Sequence, residues 1–490
     1  MMRSLARSAT LLLVTAALVQ SQAIGDSERI IAEALKASAL ETNLRQLTDE
    51  IGGRVPGTSR MQRAVEWAVS AFRAAGGQNV HTERFEIANS WAEGPTEIKV
   101  VAPEQFTLHA VSLGWAPALG AHRHVRLVDA GQGTAEDFQR AGKINEAIVL
   151  IHSEEMKTWE DLFAEYLKAP AIIDRALKGQ ALAIAFESTR SHDLLYRHTN
   201  SVSGEIDRLP MVLIAREDAG RIARLLASGQ ELFADLAIPN RIGGPITADN
   251  VVAEIAGSEQ AGEFVLLGAH LDSWELGTGA LDNGCNAALV IDALRAIKAS
   301  GLAPRRSIRF VLFSAEEEGM LGSRAYVMAH RGELDQAAGV VVFDAGTGRT
   351  TGFSLGGRKD ILGAVTPLIA PLQQLGATAL TTDAEWGTDH FDFMLEGVPT
   401  FVANQEPANY LTNYHAQSDT FDKVDLPQLK KHVAEAAELT FALANLQQRI
   451  GPRLDRAQIE QTLRATGLDQ QLQTFGIWQQ WEHGQRGRAQ

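Results

Sequence analysis

Cysteine is nearly missing from this sequence: Cys285 is the only one among 490 residues. A single cysteine excludes an internal disulfide, so the fold must be stabilised by its apolar core, which a chain of this length can supply. We interpret Cys285 as a small buried apolar residue rather than a redox or metal-binding group. Repeats at a solenoid period and low-complexity tracts are also absent from the sequence.

Positive charge is in short supply. Lysine and arginine total 45 against 60 aspartates and glutamates, which gives a formal net charge of −15 at pH 7. Arg3 and Arg7 are the only charged residues of 1–23, so removal of that segment would change the net charge to −17 (−15 − 2). This excess of negative charge argues against nucleic acid or an anionic membrane surface as a partner.

Long apolar runs are limited to one, at residues 9–19. Arg3 and Arg7 precede it, and the small residues of 21–23 follow it. This order is typical of a secretory signal, so we predict a signal peptide over 1–23 and export to the periplasm or the medium. The run is too short for a stop-transfer helix, so we expect no stable membrane insertion after cleavage, and an uncleaved anchor is the alternative.

The length exceeds one ordinary core, which predicts two or more folding units. From residue 247 onward the pattern strand, loop, helix repeats. The predicted strands are 251–255, 264–268, 308–313, 339–343 and 400–403. The predicted helices are 286–299, 323–330 and 429–446. The strands are continuous apolar runs, which indicates an α/β fold: a doubly wound, mostly parallel sheet with helices on both faces.

Residues 106–245 have a different pattern. They contain short buried-strand runs at 147–151, 181–186 and 210–215, and they hold no cluster of candidate metal ligands. A helical pattern at 26–50, a helix at 62–75 and a strand at 80–87 precede this region.

Histidines and carboxylates concentrate in five short segments, each of which follows a predicted strand or lies in a loop near one. These segments are 268–273, 279–284, 314–319, 343–346 and 413–415. Ligand sites of doubly wound sheets lie beyond the carboxyl ends of the strands. Each segment alone is weak evidence, but their joint occurrence at strand ends predicts a metal site.

Two histidines and several carboxylates are the ligand types that zinc prefers where no thiolate is present. A site for two Zn²⁺, about 3.5–4 Å apart, needs one shared carboxylate. We assign that bridge to Asp282, which lies in a glycine-rich turn. His270 and Asp344 would then bind one ion, and Glu317 and His415 the other.

Two further residues complete the predicted chemistry. Asp272 stands two residues beyond His270 and would orient its imidazole. Glu316 and Glu317 are adjacent and cannot both point at one ion from a regular strand, so we assign Glu316 as the general base that takes the proton of the attacking water.

The same segments resemble the co-catalytic two-zinc peptidases that include aminopeptidase Y and glutamate carboxypeptidase. Residues 268–273 match the first histidine motif of that family, 279–284 its bridging-aspartate motif and 313–323 its double-glutamate motif. Residues 344–347 are most similar to the plasma glutamate carboxypeptidase branch, and 414–420 match the final histidine motif. The stretch 53–58 is similar to a further motif of the family.

The resemblance implies a discontinuous catalytic domain, 24–105 and 246–448, interrupted by a protease-associated-like domain at 106–245 and followed by an extension at 449–490. It implies a cis peptide after Asp282 and places Tyr414 beside the scissile carbonyl. The loop 388–390 is similar to a substrate-side loop of the family.

The expected function is hydrolysis of terminal peptide bonds of short peptides or dipeptides, with peptides as partners and a possible homodimer. Aminopeptidase, carboxypeptidase and dipeptidase specificity stay open at this point. Glutaminyl cyclase, a class that resembles this one but holds one zinc, is an alternative, as is a binding protein that has kept the fold without the metals.

Overall fold

The computed structural model describes residues 25–489. The predicted signal peptide over 1–23 lies outside these residues. The helices, in chain order, are α1 (25–34), α2 (Leu40–Arg45), α3 (Ser59–Ala74), α4 (Ala135–Ala141), α5 (Trp159–Lys178), α6 (Arg216–Ala227), α7 (Cys285–Ser300), α8 (Leu321–Ala329), α9 (Leu362–Val365), α10 (Phe391–Leu395), α11 (Tyr410–Asn413), α12 (Leu426–Asn445), α13 (Arg456–Thr466), α14 (Leu468–Thr474) and α15 (Ile477–Glu482). Across 25–489 no helix combines the length and the apolarity that crossing a bilayer requires.

The strands, in chain order, are β1 (Gln78–Ile87), β2 (Trp91–Ala92), β3 (Glu97–Ala102), β4 (Phe106–Thr107), β5 (Ala110–Ser112), β6 (Leu119–Asp129), β7 (Ile148–Ile151), β8 (Ala183–Glu187), β9 (Met211–Ile214), β10 (Leu232–Ile238), β11 (Arg241–Ile242), β12 (Ile246–Ile255), β13 (Gln260–His270), β14 (Arg306–Phe313), β15 (Ala337–Val342), β16 (Thr350–Ser354), β17 (Ala379–Thr381) and β18 (Thr400–Gln405). They form two large sheets and a small ribbon of β11 and β2.

The first sheet has eight strands in the order β1-β12-β14-β13-β15-β18-β16-β17. Its four central strands, β14, β13, β15 and β18, run parallel to one another. β12 and β16 flank them and pair with them in antiparallel orientation. Val265 and Leu267 of β13 pack into one core with α7 and α12, whereas Phe264 and Leu266 pack into another with α8 and α10. Both faces are therefore covered, which confirms the predicted α/β fold and explains the continuous apolar strands.

The second sheet also has eight strands, in the order β4-β3-β10-β6-β7-β8-β9-β5. We call residues 97–238, which contain it together with α4, α5 and α6, the second-sheet block. β3 pairs with β10 in this sheet, so the block begins before residue 106, where the sequence placed the boundary. The reason is that a short strand such as 97–102 alternates in burial whichever sheet it joins, so its pattern does not reveal its partner.

The C-terminal extension forms α13, α14 and α15 and packs against α10, which covers part of one face of the first sheet. Its apolar residues, among them Ile459, Leu463 and Trp481, share one core cluster with Phe391 and Leu395 of α10. The extension is therefore part of the folded core rather than a separate tail.

Candidate metal centre

The predicted ligands meet at one edge of the first sheet. His270 is the last residue of β13, Glu317 lies in the turn after β14, and Asp344 lies just beyond β15. These three strands are parallel neighbours, so their carboxyl ends share an edge. His415 reaches the same edge from the loop that follows β18 and α11.

Asp282 lies between the two histidines. Its Oδ1 is 3.2 Å from His270 Nε2, and its Oδ2 is 3.3 Å from His415 Nε2. Asp344 Oδ1 lies 3.0 Å from His270 Nε2, and Glu317 Oε2 lies 2.8 Å from His415 Nε2. The five side chains thus form two groups of three that share Asp282, and the potential ligand atoms of each group lie within 4.8 Å of one another.

This donor set fits two bound cations. Glu317 Oε1 is buried without a hydrogen-bond partner among the described residues, a costly state for a carboxylate unless a cation compensates it. Burial raises the pKa of Glu317 to about 7, with His415 opposing the rise and Asp282 adding to it. Burial also opposes protonation of His415, yet Glu317 and Asp282 outweigh it and raise the pKa of His415 to about 9. Three buried carboxylates around two imidazoles are what a pair of divalent ions would neutralise.

The turn that carries Asp282 is fixed by the backbone around it. The peptide bond from Asp282 to Asn283 is cis, as predicted. Asp419 accepts hydrogen bonds from the backbone N–H groups of residues 280, 281 and 282, at 3.1, 2.7 and 3.1 Å. The Asn283 amide donates to Asp344 Oδ1 at 2.7 Å and so connects this turn to the next ligand.

Asp272 supports two parts of the site. Its backbone carbonyl lies 3.1 Å from His270 Nδ1, whereas its carboxylate Oδ1 is 3.7 Å from the same nitrogen. The carboxylate accepts the backbone N–H groups of Glu316 and Glu317, each at 3.2 Å. Asp272 therefore holds the double-glutamate turn at least as directly as it orients the imidazole.

Glu316 faces a cavity of about 510 Å³ that opens beside the predicted ligands. Burial raises the pKa of Glu316 well above its usual range; His270 opposes this rise, and Asp344 adds to it. Tyr414 lines the same cavity, and its hydroxyl is hydrogen-bonded to the hydroxyl of Tyr166 at 2.9 Å. In the loop 388–390, Thr388 lines the cavity, whereas Asp389 and His390 are buried beside it.

Several separate parts of the chain contribute aromatic side chains to the lining of this cavity. α5 of the second-sheet block contributes Trp159 and Phe163, the loop after β17 contributes Trp386, and the C-terminal extension contributes Phe475. The rings of Trp386 and Phe475 are in contact, with centroids 4.5 Å apart. Aromatic rings therefore form part of the walls, while the predicted ligands form the floor.

Two residues around the site were not assigned a role from the sequence. The Tyr410 hydroxyl donates to Asp282 Oδ2 at 2.9 Å, and nothing in its sequence context distinguishes it from a core tyrosine. Arg54 is fully buried and donates to the carbonyl oxygens of Leu271, Thr278 and Gly279, which fixes the loops on either side of the ligands. Its place in the stretch 53–58, which matched a family motif, was a signal that could have revealed this role.

Comparison with known proteins agrees with this geometry. Residues 250–440 match the model of peptidase family M28. Carboxypeptidase Q of Bos taurus is 27% identical over 412 residues, which cover 83% of this chain and 85% of that protein. Aminopeptidase YwaD of Bacillus subtilis is 25% identical over 435 residues, 86% of each chain. The crystal structure of a peptidase M28 precursor from Shewanella amazonensis superposes with a TM-score of 0.80 at 26% identity and covers 89% of this chain and 100% of its own.

The family model spans the strands that end at the ligands, and the match to the Shewanella structure extends over both large sheets. The resemblance that the sequence motifs carry is thereby confirmed. This chain is a hydrolase, and its residues 250–440 match peptidase family M28.

Proposed function

We propose that this chain is an exported two-zinc exopeptidase that hydrolyses the terminal peptide bond of short peptides. The observation that supports this most directly is Asp282, whose two oxygens each face a different histidine at 3.2 and 3.3 Å. A bridging carboxylate of this kind is what a two-metal site requires. A cavity of about 510 Å³ holds a peptide of a few residues, not a folded protein.

Zinc suits the donor set because imidazole and carboxylate ligands are present without a thiolate; the buried Cys285 donates instead to the Leu281 carbonyl. His270 and Asp344 would hold one ion and Glu317 and His415 the other, with Asp282 shared. Bound zinc would polarise the scissile carbonyl and lower the pKa of water to roughly 7.

The proton transfers fall to the chain's own residues. Glu316 faces the cavity, and its backbone is held by Asp272, so it is placed to accept the proton of the attacking water and to deliver it to the leaving amine. Tyr414 also faces the cavity, and its hydroxyl would donate to the carbonyl oxygen as negative charge develops there.

We infer that the free end read by this site is the amino terminus. The cavity is lined by the carboxylates of Glu160, Asp383 and Glu385 in addition to the site carboxylates, and no lysine or arginine of residues 25–489 lines it. A carboxypeptidase must pair the α-carboxylate of its substrate with a cation or a set of donors, whereas acidic groups suit an α-ammonium. The aromatic walls favour an apolar side chain at the cleaved end.

Zinc content and peptide hydrolysis test this function together. We expect about two zinc ions per chain, chelator-sensitive release of apolar N-terminal residues, cleavage of peptides with an amidated C-terminus and none of N-acetylated peptides. Cleavage of the N-acetylated but not the amidated peptides would reverse the assigned terminus. A metal count near one would favour the single-zinc cyclase, and no hydrolysis by the zinc-loaded protein would exclude the peptidase.

Replacement of the base gives a sharper test of the mechanism. We expect Glu316→Gln to keep both zinc ions and to lower kcat by about 10²–10⁴-fold, since positioned base catalysis contributes this much. Glu438→Gln, the same change at a buried glutamate of α12 outside the cavity, should retain kcat. Wild-type kcat in Glu316→Gln would remove this residue from the mechanism.

We also propose that residues 1–23 direct export and that the second-sheet block is a protease-associated-like domain. The block has its own sheet and its own two core clusters, which supports a separate folding unit. N-terminal sequencing of the protein recovered outside the cytoplasm should begin near residue 24; an intact Met1 there would contradict cleavage. Peptides are the expected partners, and a homodimer is possible.

A further inference from the structure

The two histidines at the site are supported in different ways. His270 ends a central strand, and its Nδ1 lies 3.1 Å from the carbonyl oxygen of Asp272. His415 lies in a loop, and its Nδ1 is buried without a hydrogen-bond partner among the described residues. Metal-binding histidines almost always donate their second N–H to a carboxylate, a carbonyl or water. Among the described residues, His415 is therefore held by contacts other than a hydrogen bond to Nδ1.

Ring packing and backbone contacts take that role. The Tyr414 ring stacks on the His415 ring, with centroids 3.6 Å apart and planes inclined by 22°. The backbone of His415 has φ of 58°, a left-handed conformation that few residues other than glycine adopt. A residue in such a conformation persists only where its surroundings fix it.

The second-sheet block supplies these surroundings. The backbone N–H of Arg197 donates to the His415 carbonyl at 3.0 Å, and the backbone N–H of Gln417 donates to the Leu195 carbonyl at 3.1 Å. Tyr196 and Ala416 pair between them as a short antiparallel bridge. The loop that carries His415 thus forms a two-stranded contact with a segment more than two hundred residues earlier in the chain.

Two side chains of the block reinforce this contact. Arg190 is buried, and its Nη2 donates to the carbonyl oxygens of Leu411 and Tyr414 at 3.3 and 3.1 Å. Its guanidinium lies over the Tyr196 ring, 3.9 Å from the centroid. The Tyr166 hydroxyl of α5 bonds the Tyr414 hydroxyl, which fixes the ring that stacks on His415.

We propose that Arg190 and Tyr166 are positioning residues for His415, and that the metal position of Glu317 and His415 is completed by the second-sheet block. The position of His270 and Asp344 is set by β13 and β15 and does not depend on these contacts. This inference rests on the proposed two-zinc function.

Stepwise binding of Zn²⁺ to the full-length, metal-free protein tests the proposal, with a chelating indicator as competitor. We expect Arg190→Ala to weaken one of the two zinc equivalents by about 10–100-fold and to leave the other unchanged, which is the usual range for loss of a residue that orients a ligand. Arg190→Lys, which can still reach one carbonyl, should restore part of this affinity. Tyr166→Phe should weaken the same equivalent by about fivefold, the effect of one hydrogen bond.

Arg221→Ala is the matched control. Arg221 also belongs to the block and lies over an aromatic ring, that of Phe106, but it contacts no residue of the site. Both zinc equivalents should be unchanged in this variant.

The possible outcomes separate the two proposals. The positioning role would be overturned if Arg190→Ala and Tyr166→Phe bound both zinc equivalents with unchanged affinity. It would also be overturned if these variants weakened both zinc equivalents equally, since a general loss of structure affects both metal positions alike. If Arg190→Ala does not fold, Tyr166→Phe and Arg190→Lys decide by the same criterion. A wild-type protein that binds no zinc would overturn the proposed function and this inference with it, whereas two equivalents in the wild type leave the function standing whatever the variants show.

Discussion

Asp282 sets the spacing of the proposed metal pair, because each of its oxygens faces a different histidine. The Tyr410 hydroxyl donates to Oδ2, the oxygen that faces His415, and also to the Asp344 carbonyl at 3.2 Å. Tyr410 therefore orients the carboxylate and ties it to the loop of another ligand. Such outer contacts tune metal affinity as strongly as some ligands do.

The first prediction concerns this hydroxyl. Tyr410→Phe should lower the affinity for zinc by about tenfold, because the Asp282 carboxylate loses the donor that fixes its rotation. Competition with a chelating indicator measures the affinity. Tyr326→Phe, which removes a buried hydroxyl bonded to Arg309 far from the ligands, should leave it unchanged; equal affinities in the two variants would contradict the role of Tyr410.

The second prediction concerns Arg54. Its guanidinium satisfies the carbonyl oxygens of Leu271, Thr278 and Gly279, and burial lowers its pKa only to about 10, so it stays charged at neutral pH. Arg54→Met should lower the apparent free energy of unfolding by about 3 kcal/mol or more, since each buried carbonyl left without a donor costs about 1–3 kcal/mol. Urea unfolding measures the loss. Arg60→Met, an exposed change in α3, should cost little; equal losses would refute the argument.

For single residues, the sequence predicted the site roles of those that follow strands. It did not predict the roles of residues whose contacts lie far away in the chain. His270, Glu317 and Asp344 could be placed together because parallel strand ends share an edge. The contact of Arg54 with Thr278 and that of Tyr410 with Asp282 each join residues more than a hundred positions apart, and no local pattern contains them.

Among the elements, α12 has an unusual buried face. Glu435 and Glu438 are almost fully buried against the first sheet, and no lysine or arginine pairs with either among residues 25–489. Burial raises the pKa of Glu435 to about 8, although Thr350 and Lys431 oppose the rise. Burial likewise raises the pKa of Glu438 to about 7, although the Ser27 hydroxyl opposes it. Both carboxyls are thus protonated where the unfolded chain would ionise.

The third prediction follows from this difference. The native state binds more protons than the unfolded state between about pH 4.5 and pH 8, so stability contributed by these groups falls as pH rises through that window. Glu435→Gln removes this titration. The free energy of unfolding of the variant, taken relative to the wild type, should therefore be higher at pH 8 than at pH 5 by about 1 kcal/mol or more. Urea unfolding at the two pH values provides the comparison. Glu460→Gln, at a half-buried position on the surface of α13, should show no such difference; the same pH dependence in Glu435→Gln and the wild type would contradict the assignment.

Helices and strands with strong periodicity were predicted closely. The predicted helix at 429–446 is α12, and the strands at 264–268 and 308–313 lie within β13 and β14. β3 was assigned to the wrong side of a boundary because strand pairing is decided by distant residues. The turn at Ala280–Gly284 could not be predicted from periodicity, since the contacts of Asp419 decide its shape.

At the scale of the whole molecule, the C-terminal extension is anchored to α10 by a buried ion pair. Arg486 forms a fully buried pair with Asp392 of α10, through Nε and Nη2 at 2.8 and 2.7 Å. The sequence contained no sign of this pair, because residues 449–490 matched no motif. The extension thereby contributes both to the core and, through Phe475, to the cavity wall.

The fourth prediction tests this attachment. Arg486→Met should lower the apparent free energy of unfolding by about 3–5 kcal/mol, because Asp392 would stay buried without its partner. Thermal unfolding followed by circular dichroism reports the change. Arg45→Met removes an exposed pair with Glu41 and should have almost no effect; similar midpoints for both variants would contradict a stabilising role for the buried pair.

The division of the site between floor and walls has a consequence for how such an enzyme diversifies. The proposed ligands lie at one edge of the first sheet and in the loops beside it, whereas Trp159, Phe163 and Phe475 come from other parts of the chain. Substitutions in the walls can therefore change which peptides are accepted while the hydrolytic machinery is inherited intact. Proteins that keep the proposed ligands can therefore change their substrate specificity through single substitutions in the walls, without passing through an inactive intermediate.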